Sequence, residues 1–186
     1  MACELVIPTL DHLPFYRDAL ERGWSPDNVN LEKTAQIHLT RIAEDPAGFV
    51  ASLTDPEARG APIAMPDGTT RPRLPGYFLW VWDGEFCGSF SFRWQSGTSA
   101  LPDYCLGHIG YSIVPWRRQR GYATAGLRQV LGRAKAQGLA YVELTTEPGN
   151  APSQKVILAN GGKLIGPRQK IDAYGGAEEL LWWITL

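Results

Sequence analysis

Residues 115–127 are PWRRQRGYATAGL, a stretch that places three arginines within four positions directly before a glycine. The preceding residues 108–114, HIGYSIV, are typical of a β-strand, and residues 123–138 carry an apolar stripe at helical spacing. The pattern therefore predicts a strand, a turn around Gly121 and then a helix. The basic turn is either a solvated charged surface or an anion-binding site.

The chemistry of a helix start favours the anion-binding site. The first N–H groups of a helix have no partner within it, and the helix dipole leaves partial positive charge at that end. We therefore expect the amides of residues 118–124 to converge on a diphosphate, with charge added by Arg118 and Arg120. Gly121 has no Cβ, which permits a sharp turn and a close approach of the phosphate. Two common phosphate motifs, GxxxxGK before Ser or Thr and GxGxxG after a strand, are absent from the sequence.

The composition is that of a globular protein. The chain has 186 residues, of which 44% are hydrophobic and 20% are charged, which predicts one domain with a sizeable core. No apolar run approaches the roughly 18 residues of a membrane span, and the first residues lack the basic start of a signal peptide. Cys3, Cys87 and Cys105 have neither CxxC nor zinc-like spacing. We expect reduced thiols, no metal site, no membrane partner and a cytoplasmic location.

The formal net charge of −1 hides an uneven distribution. Residues 1–103 hold 8 Lys and Arg against 14 Asp and Glu, whereas residues 104–186 hold 10 against 5. This distribution fits a small anionic ligand on the second half and a cationic partner near the first. It equally fits a chance difference in charge that has no functional role. No long basic helix or basic-aromatic stripe points to nucleic acid.

The first half of the chain predicts a strand, helices and a loop. Residues 3–8 are typical of a short strand, and residues 11–23 of a helix. Asn30 is a candidate cap for a second helix, which we expect residues 47–53 to continue after Pro46. Residues 54–76 contain five prolines and three glycines, so we expect a long loop that is either disordered or part of a binding surface.

The second half predicts a sheet with two helices. Residues 76–94 form a hairpin around the Asp83-Gly84 turn, and residues 139–146 are a strand. Asn150 caps the next helix, Gly161-Gly162 ends it, and two strands follow. Strands and helices that alternate after a meander predict a mixed α/β sheet.

Two segments carry a resemblance to a known family. Residues 118–123, RQRGYA, match the Gln/Arg-x-x-Gly-x-Gly/Ala signature with which the GNAT superfamily of N-acetyltransferases holds the pyrophosphate of acetyl-CoA. Pro115 lies three residues earlier, as is common in that family. A second segment, Asn150-x-x-Ser153 followed by residues 160–162, NGG, is similar to the family's N-x-x-Ser/Ala…K-x-G-F segment. The stretch from Gly76 onwards most resembles an uncharacterised bacterial branch of predicted acetyltransferases.

The resemblance implies a fold and a cofactor site. The expected fold is the GNAT-like acyl-CoA N-acyltransferase fold, a mostly antiparallel sheet splayed between its fourth and fifth strands and flanked by helices. Residues 1–186 would form one domain, with 1–76 on the acceptor side and 77–186 as the acetyl-CoA-binding core. The residues expected to bind acetyl-CoA, the co-substrate, are Ile113, Val114, Arg118, Gln119, Arg120, Gly121, Tyr122, Ala123, Thr124, Asn150 and Ser153.

Acetyl transfer to an amine by direct attack has two chemical requirements. The amine must be neutral, although the pKa of a lysine-type amine is about 10.4, and the developing oxyanion needs a donor. His108 is a candidate base because an ordinary imidazole pKa of about 6.5 suits proton transfer near neutrality. It is equally a candidate structural histidine bonded to a neighbouring strand. Glu143, or Glu147 at the end of its strand, is the alternative base.

The sequence departs from the family at one position. Many members carry a tyrosine, which protonates the departing thiolate, in the helix after Asn150, and Ile157 stands there in this chain. Tyr111 or Tyr174 is an alternative acid, or no acid is needed because a thiol pKa of about 8.5 makes thiolate a fair leaving group. A third interpretation is that the chain binds the cofactor without catalysis.

The sequence therefore predicts an N-acetyltransferase that acts on a primary amine of a small molecule or a peptide. The alternatives are a non-catalytic acyl-CoA sensor, and an interaction module whose basic turn binds a phosphorylated partner. Trp182 and Trp183 alternate on the last strand and should point to opposite faces. An exposed tryptophan there would line an acceptor groove or a homodimer contact, and packing in the core is the alternative.

Overall fold

The computed structural model describes residues 3–27 and 30–186 and has the mixed α/β architecture that the sequence predicts. Along the chain the elements are β1 (Glu4–Val6), α1 (Leu13–Glu21), α2 (Leu31–Glu44), α3 (Pro46–Ser52), β2 (Thr54–Asp55), β3 (Ile63–Ala64), β4 (Thr70–Arg71), β5 (Gly76–Trp82), β6 (Phe86–Arg93), β7 (Ile109–Ile113), α4 (Tyr122–Ala136), β8 (Tyr141–Thr146), α5 (Ala151–Leu158), β9 (Lys163–Gln169) and β10 (Glu178–Thr185). None of the helices in these two ranges is long and apolar enough to span a membrane.

The strands form two main antiparallel sheets. The first has the order β1-β5-β6-β7, with β2 also paired to β5, and the second has the order β8-β10-β9. At the start of β7 the His108 N–H donates to the Glu143 carbonyl of β8 at 2.8 Å, yet no ladder joins the two strands in the described residues. The sheet therefore opens between β7 and β8, as the family resemblance predicts.

Two apolar clusters cover the two faces of the first sheet. One lies under α4, where Leu127 and Val130 are fully buried against Phe90 and its neighbours. The other lies under the first three helices and is built around Tyr16 and Trp80, whose rings stack with centroids 4.5 Å apart. Burying aromatic and aliphatic side chains on both faces is what stabilises a sheet placed between helical layers.

The helix α4 approaches the sheet closely because one of its residues is glycine. A Cβ built on Gly126 would lie 2.4 Å from Cε2 of Phe90, which is far inside van der Waals contact. The helix can therefore lie directly on β6. This close contact fixes the position of the α4 N-terminus relative to β7.

Several local expectations are corrected by the structure. Asn30 occupies the N-cap position of α2 but its side chain makes no capping hydrogen bond. Residues 46–52 form a separate helix, because the Asp45 side chain accepts from Gly48 N at 2.9 Å and starts a new one. The β5–β6 connection spans residues 83–85 and shifts the ladder register, so it is longer than a two-residue turn. Residues 54–76 include the short strands β2, β3 and β4.

Candidate functional site

The turn between β7 and α4 presents main-chain donors without acceptors. Gly121 is the N-cap of α4 with φ +80° and ψ 0°, and the first helical bond runs from Ala125 N–H to its carbonyl at 3.0 Å. Among the described residues, the N–H groups from Gly121 to Thr124 find no acceptor. A Cβ on Gly121 would meet nothing within 4 Å, so the space in front of these amides is open. This geometry suits an anion.

The arginines of the turn differ in their partners. Arg117 is paired with Asp83 at 3.5 Å and with Glu85, so its charge is neutralised locally. Arg118 is exposed and its Nε donates to the Ile113 carbonyl at 3.1 Å, which ties the turn to the end of β7. Arg120 is exposed and forms no ion pair with any residue that the structure describes. Arg118 and Arg120 are therefore the two charges available to a ligand.

Two of the predicted cofactor residues have polar groups that are already bonded within the protein. Tyr122 is buried and its hydroxyl donates to Asp83, so only its main chain faces the turn. Val114 is fully buried, its N–H donates to the Cys87 carbonyl at 3.0 Å, and its carbonyl accepts from Arg117 N at 2.9 Å. Both main-chain groups of Val114 are therefore bonded within the protein, so they give no support to its predicted contact with the cofactor.

The opening between β7 and β8 brings Tyr111 to the first turn of α5. The Tyr111 hydroxyl lies 2.7 Å from Ser153 Oγ, and its ring stacks on Phe90 with centroids 5.1 Å apart. Burial raises the pKa of Tyr111. Asn150 accepts from Ser153 N at 3.2 Å, which confirms the predicted cap. Ile157 is fully buried in the core, so the tyrosine that the structure places at this opening is Tyr111.

His108 is held by the neighbouring strand. It is fully buried, and its Nδ1 accepts from the Glu143 N–H at 2.9 Å. The neutral ring therefore carries its proton on Nε2, which has no partner among the described residues. Burial, followed by the positive charge of Arg93, lowers the pKa of His108 to about 4. The ordinary pKa assumed for a base does not hold, and the geometry is that of a histidine bonded to a neighbouring strand.

Glu143 lies beside an ion pair between the partly buried Arg168 and the buried Glu179. Its carboxylate is 3.9 Å from Arg168, which also binds the buried Glu179 at 2.6 Å. Burial raises the pKa of Glu143, and this moves the carboxyl towards the range in which a base works near neutrality. Glu147, the other alternative, is exposed on the loop after β8. Tyr174 is not brought to the opening, because its hydroxyl donates to the Tyr104 carbonyl at 3.2 Å.

The last strand has the predicted alternation of its tryptophans. Trp182 is buried and its Nε1 donates to Thr146 Oγ1 at 3.0 Å, whereas Trp183 is 38% exposed. Trp183 stacks on Tyr141 with ring centroids 4.4 Å apart, on the same face as Glu143. The exposed tryptophan therefore belongs to the face opposite α4 and α5.

A cavity of about 390 Å³ lies apart from these residues. It is bounded by α1 and the start of β6, and the guanidinium of Arg22 stacks on Trp116 in its wall at 3.6 Å. None of the predicted site residues lines it. The candidate site is instead the open turn together with the gap between β7 and β8.

Residues 29–163, most of the chain, match the family model described as an acetyltransferase (GNAT) domain. The chain belongs to the GNAT acetyltransferase family. The predicted enzyme class and the predicted fold are thereby confirmed. The turn around Gly121 occupies the place where the family signature was recognised in the sequence.

Solved GNAT structures share the fold over nearly the whole chain. RimJ of Mycobacterium smegmatis, in complex with CoA-disulfide, is 21% identical with a TM-score of 0.63, covering 98% of this chain and 81% of that chain. The microcin C7 self-immunity acetyltransferase MccE, with acetyl-CoA and AMP, is 11% identical with a TM-score of 0.59, covering 99% and 92%. RimL, a ribosomal L7/L12 α-N-protein acetyltransferase with CoA, is 13% identical with a TM-score of 0.58, covering 100% and 95%. At these identities the likeness shows the fold, and no curated protein sequence matches the chain.

Sequence analysis missed two arginines of this region. Arg168 pairs with Glu179 across the β9–β10 hairpin, and the register of that hairpin would have predicted the contact. Arg93 is the antiparallel neighbour of His108, since its N–H donates to the His108 carbonyl at 2.9 Å. The signal in the sequence that could have indicated Arg93 is its spacing of two from Ser91. At this spacing the two side chains lie on the same face of the strand that precedes a long connection.

Proposed function

We propose that the chain transfers the acetyl group of acetyl-CoA to a primary amine of a small molecule or a peptide. The observation that carries the proposal is the set of four amides from Gly121 to Thr124, which have no acceptor in the described part of the chain and begin a 15-residue helix of a GNAT chain, with open space beside Gly121. The CoA-bound RimJ and RimL and the acetyl-CoA-bound MccE support the choice of cofactor.

The cofactor contacts follow from the groups that remain available. The pyrophosphate binds the amides of the turn and the charges of Arg118 and Arg120. Tyr122 and Ile113 contribute through their main chains, and Val114 is omitted. The remaining proposed contacts are Gln119, Ala123, Asn150 and Ser153.

When bound, acetyl-CoA supplies the thioester carbonyl that the amine attacks. Glu143 accepts the proton that the amine must lose, because burial has raised its pKa towards neutrality while Arg168 keeps it ionisable. Tyr111 stays protonated because burial raises its pKa, so its hydroxyl can donate to the sulfur that leaves. Ser153 lies in the first turn of α5, where the helix end favours negative charge. His108 is a hydrogen-bond donor through Nε2 and not the base.

Binding and turnover are tested separately. Thermal unfolding is followed with CoA at a hundredfold excess over Kd, where a specific complex adds about 2.7 kcal/mol to the free energy of unfolding. Release of free CoA is then followed over a panel of primary amines. A thermal shift together with release on at least one amine supports the proposal. The absence of any thermal shift would contradict it and favour an interaction module.

The second candidate function is a non-catalytic acyl-CoA sensor. The observation that favours it is Ile157, which is fully buried. This isoleucine stands at the position where many family members carry the tyrosine that protonates the thiolate. Tight binding of acetyl-CoA with no release on any amine would establish the sensor. A homodimer and a cytoplasmic location stay predictions.

A further inference from the structure

The guanidinium of Arg93 has no carboxylate partner within the part of the chain that the structure describes. Arg93 ends β6, is partly buried, and forms no ion pair with any residue in the ranges 3–27 and 30–186. Its terminal nitrogen donates to Ser91 Oγ at 3.0 Å. A Cβ on Gly110 would lie 3.6 Å from the same nitrogen, so the guanidinium lies over bare backbone of β7. A half-buried cation that binds only a hydroxyl is costly unless an anion joins it.

A second donor without an acceptor lies next to this arginine. The last pair of the β6–β7 ladder is Phe92–Ile109, and the Arg93 N–H donates to the His108 carbonyl directly beyond it. The charge of Arg93 also acts on the His108 ring, so we place the two side chains on the same face of the sheet. His108 is fully buried, and its Nε2 has no partner among the described residues while Nδ1 is taken by Glu143 N. Both groups can only donate. An oxygen that accepts from both must therefore come from a ligand or a solvent molecule.

This face is the one opposite the proposed cofactor contacts. Tyr111 points towards Phe90 and α5, so Gly110 and His108, which alternate with it, point the other way. Glu143 lies on that same side, since its neighbours Val142 and Leu144 are buried in the core with α4. The face therefore holds a donor cluster at one strand and a half-buried carboxylate at the next.

Residues from other segments of the chain lie near Arg93. Its positive charge reaches Tyr174, which lies on the connection before β10. The Tyr174 hydroxyl in turn contacts Tyr104 O at 3.2 Å and Met65 Sδ at 3.8 Å. Tyr174 thus links the charge of Arg93 to the 54–76 segment and to the connection before β7.

We propose that Arg93 and His108 bind a carboxylate of the acceptor, so that the preferred substrate is an amine that also carries a carboxylate. This inference rests on the proposed function and names the substrate class of that site. The carboxylate forms charge-assisted hydrogen bonds with the Arg93 guanidinium and accepts from His108 Nε2. Ser91 positions the guanidinium, and Glu143 takes the proton of the amine. The carboxylate belongs either to a free amino acid or to an acidic residue near a peptide N-terminus.

The test compares acceptors that differ only in charge. Alanine is paired with alaninamide, and Ala-Asp-Ala amide is paired with Ala-Asn-Ala amide. A charge-assisted contact predicts that kcat/KM favours the carboxylate member of one pair by about 10- to 100-fold, mainly through KM. The pair that shows the preference identifies the source of the carboxylate. The two members of a pair also differ in amine pKa, but this difference is the same for every protein variant. Comparing the carboxylate preference of each variant with that of the wild type therefore removes it.

The variants isolate the role of the charge. Arg93→Gln should reduce the preference to about onefold, and Arg93→Lys should keep part of it because Lys retains the charge without the planar fork. Lys135→Gln removes the same charge from an exposed position of α4 and should change nothing. Far-ultraviolet circular dichroism checks that each variant is folded. Equal kcat/KM within both pairs, unchanged by Arg93→Gln, would overturn the inference while the proposed function stands.

A binding measurement separates this inference from the proposed function. N-acetylalanine and N-acetylalaninamide cannot be acetylated again at the amine, and their binding is followed by ligand-observed NMR. Binding of the carboxylate alone, lost in Arg93→Gln, supports the site even if no amine is turned over. Equal binding of the two compounds to both proteins would count against it.

Discussion

The face of the sheet that packs against α4 and α5 offers a ligand main-chain donors, whereas the opposite face offers charged side chains. On the first face, the amides from Gly121 to Thr124 come from four consecutive residues. On the second, Arg93, His108 and Glu143 come from three different strands or connections. The first arrangement is fixed by local backbone conformation, and the second by the register and spacing of whole strands.

The largest expected effect tests the first face through two matched glycines of α4. Gly121 has φ +80° before the helix and Gly138 has φ +82° after it, and a Cβ on either would meet nothing within 4 Å. Gly121→Val should weaken CoA binding by about 100- to 1000-fold, because a side chain there displaces a phosphate that accepts charge-assisted hydrogen bonds. Isothermal titration with CoA measures the loss.

Gly138→Val is the control for strain. Both substitutions place a β-branched residue in the left-handed region, at a similar cost of about 1–2 kcal/mol in stability. Only the change at Gly121 should affect CoA. Equal affinity for CoA in the two variants would show that the amides of the turn do not hold the pyrophosphate.

The second prediction concerns stability in acid. It compares a histidine on the second face of the sheet, His108, with a histidine on helix α2, His38. Burial lowers the pKa of His108 and of His38 to about 4, against about 6.5 in an unfolded chain. Between these values the unfolded chain binds protons that the folded chain does not. Protonation of these two histidines should therefore leave the free energy of unfolding unchanged above pH 6.5. As the pH is lowered towards 4, it should reduce the free energy of unfolding by up to about 3 kcal/mol for each histidine.

Urea unfolding at several pH values measures this slope. His108→Asn keeps an acceptor for the Glu143 N–H and should remove the contribution of His108 to the pH dependence of the free energy of unfolding. His38→Gln should remove the contribution of His38. A slope that neither substitution changes would mean that the two rings are not neutral and buried as described.

The third prediction tests Glu143 as the base on the second face. Glu143→Gln keeps the shape of the side chain and should lower kcat by about 100-fold at pH 7. The loss should shrink at pH 9, because more of the amine is then neutral without help. Glu147→Gln is the matched control, since that carboxylate is exposed beyond the end of β8. A loss of equal size at both pH values would remove the base role from Glu143.

The contrast between the faces also explains what could be predicted from the sequence. The α4 turn and the Asn150 cap depend on residues close in sequence, so short motifs located both. His108 was assigned an ordinary pKa because its burial and its bond to Glu143 N depend on a strand 35 positions away. The bonds of the Val114 main chain could not be predicted for a similar reason, since its N–H donates to Cys87 on β6.

The partnership of Arg93 with His108 could not be foreseen from spacing. It depends on the β6–β7 register across a 14-residue connection, residues 94–107, which no turn motif fixes. The split of the sheet itself was available only through the family resemblance. Side-chain clusters assembled from separate strands therefore require the structure, whereas backbone sites at helix ends do not.

The smallest expected effect tests whether Tyr111 compensates for Ile157. The hydroxyl of Tyr111 lies 2.7 Å from Ser153 Oγ at the opening. Tyr111→Phe keeps the stack on Phe90, so CoA affinity should hold while kcat falls by about 10-fold, the value of one hydrogen bond of about 1–1.5 kcal/mol. Tyr77→Phe removes a hydroxyl from β5, away from the opening, and should leave kcat unchanged. If Tyr111→Phe also has no effect on kcat, thiolate departs without a donor from this face, and the first face serves only to bind the cofactor.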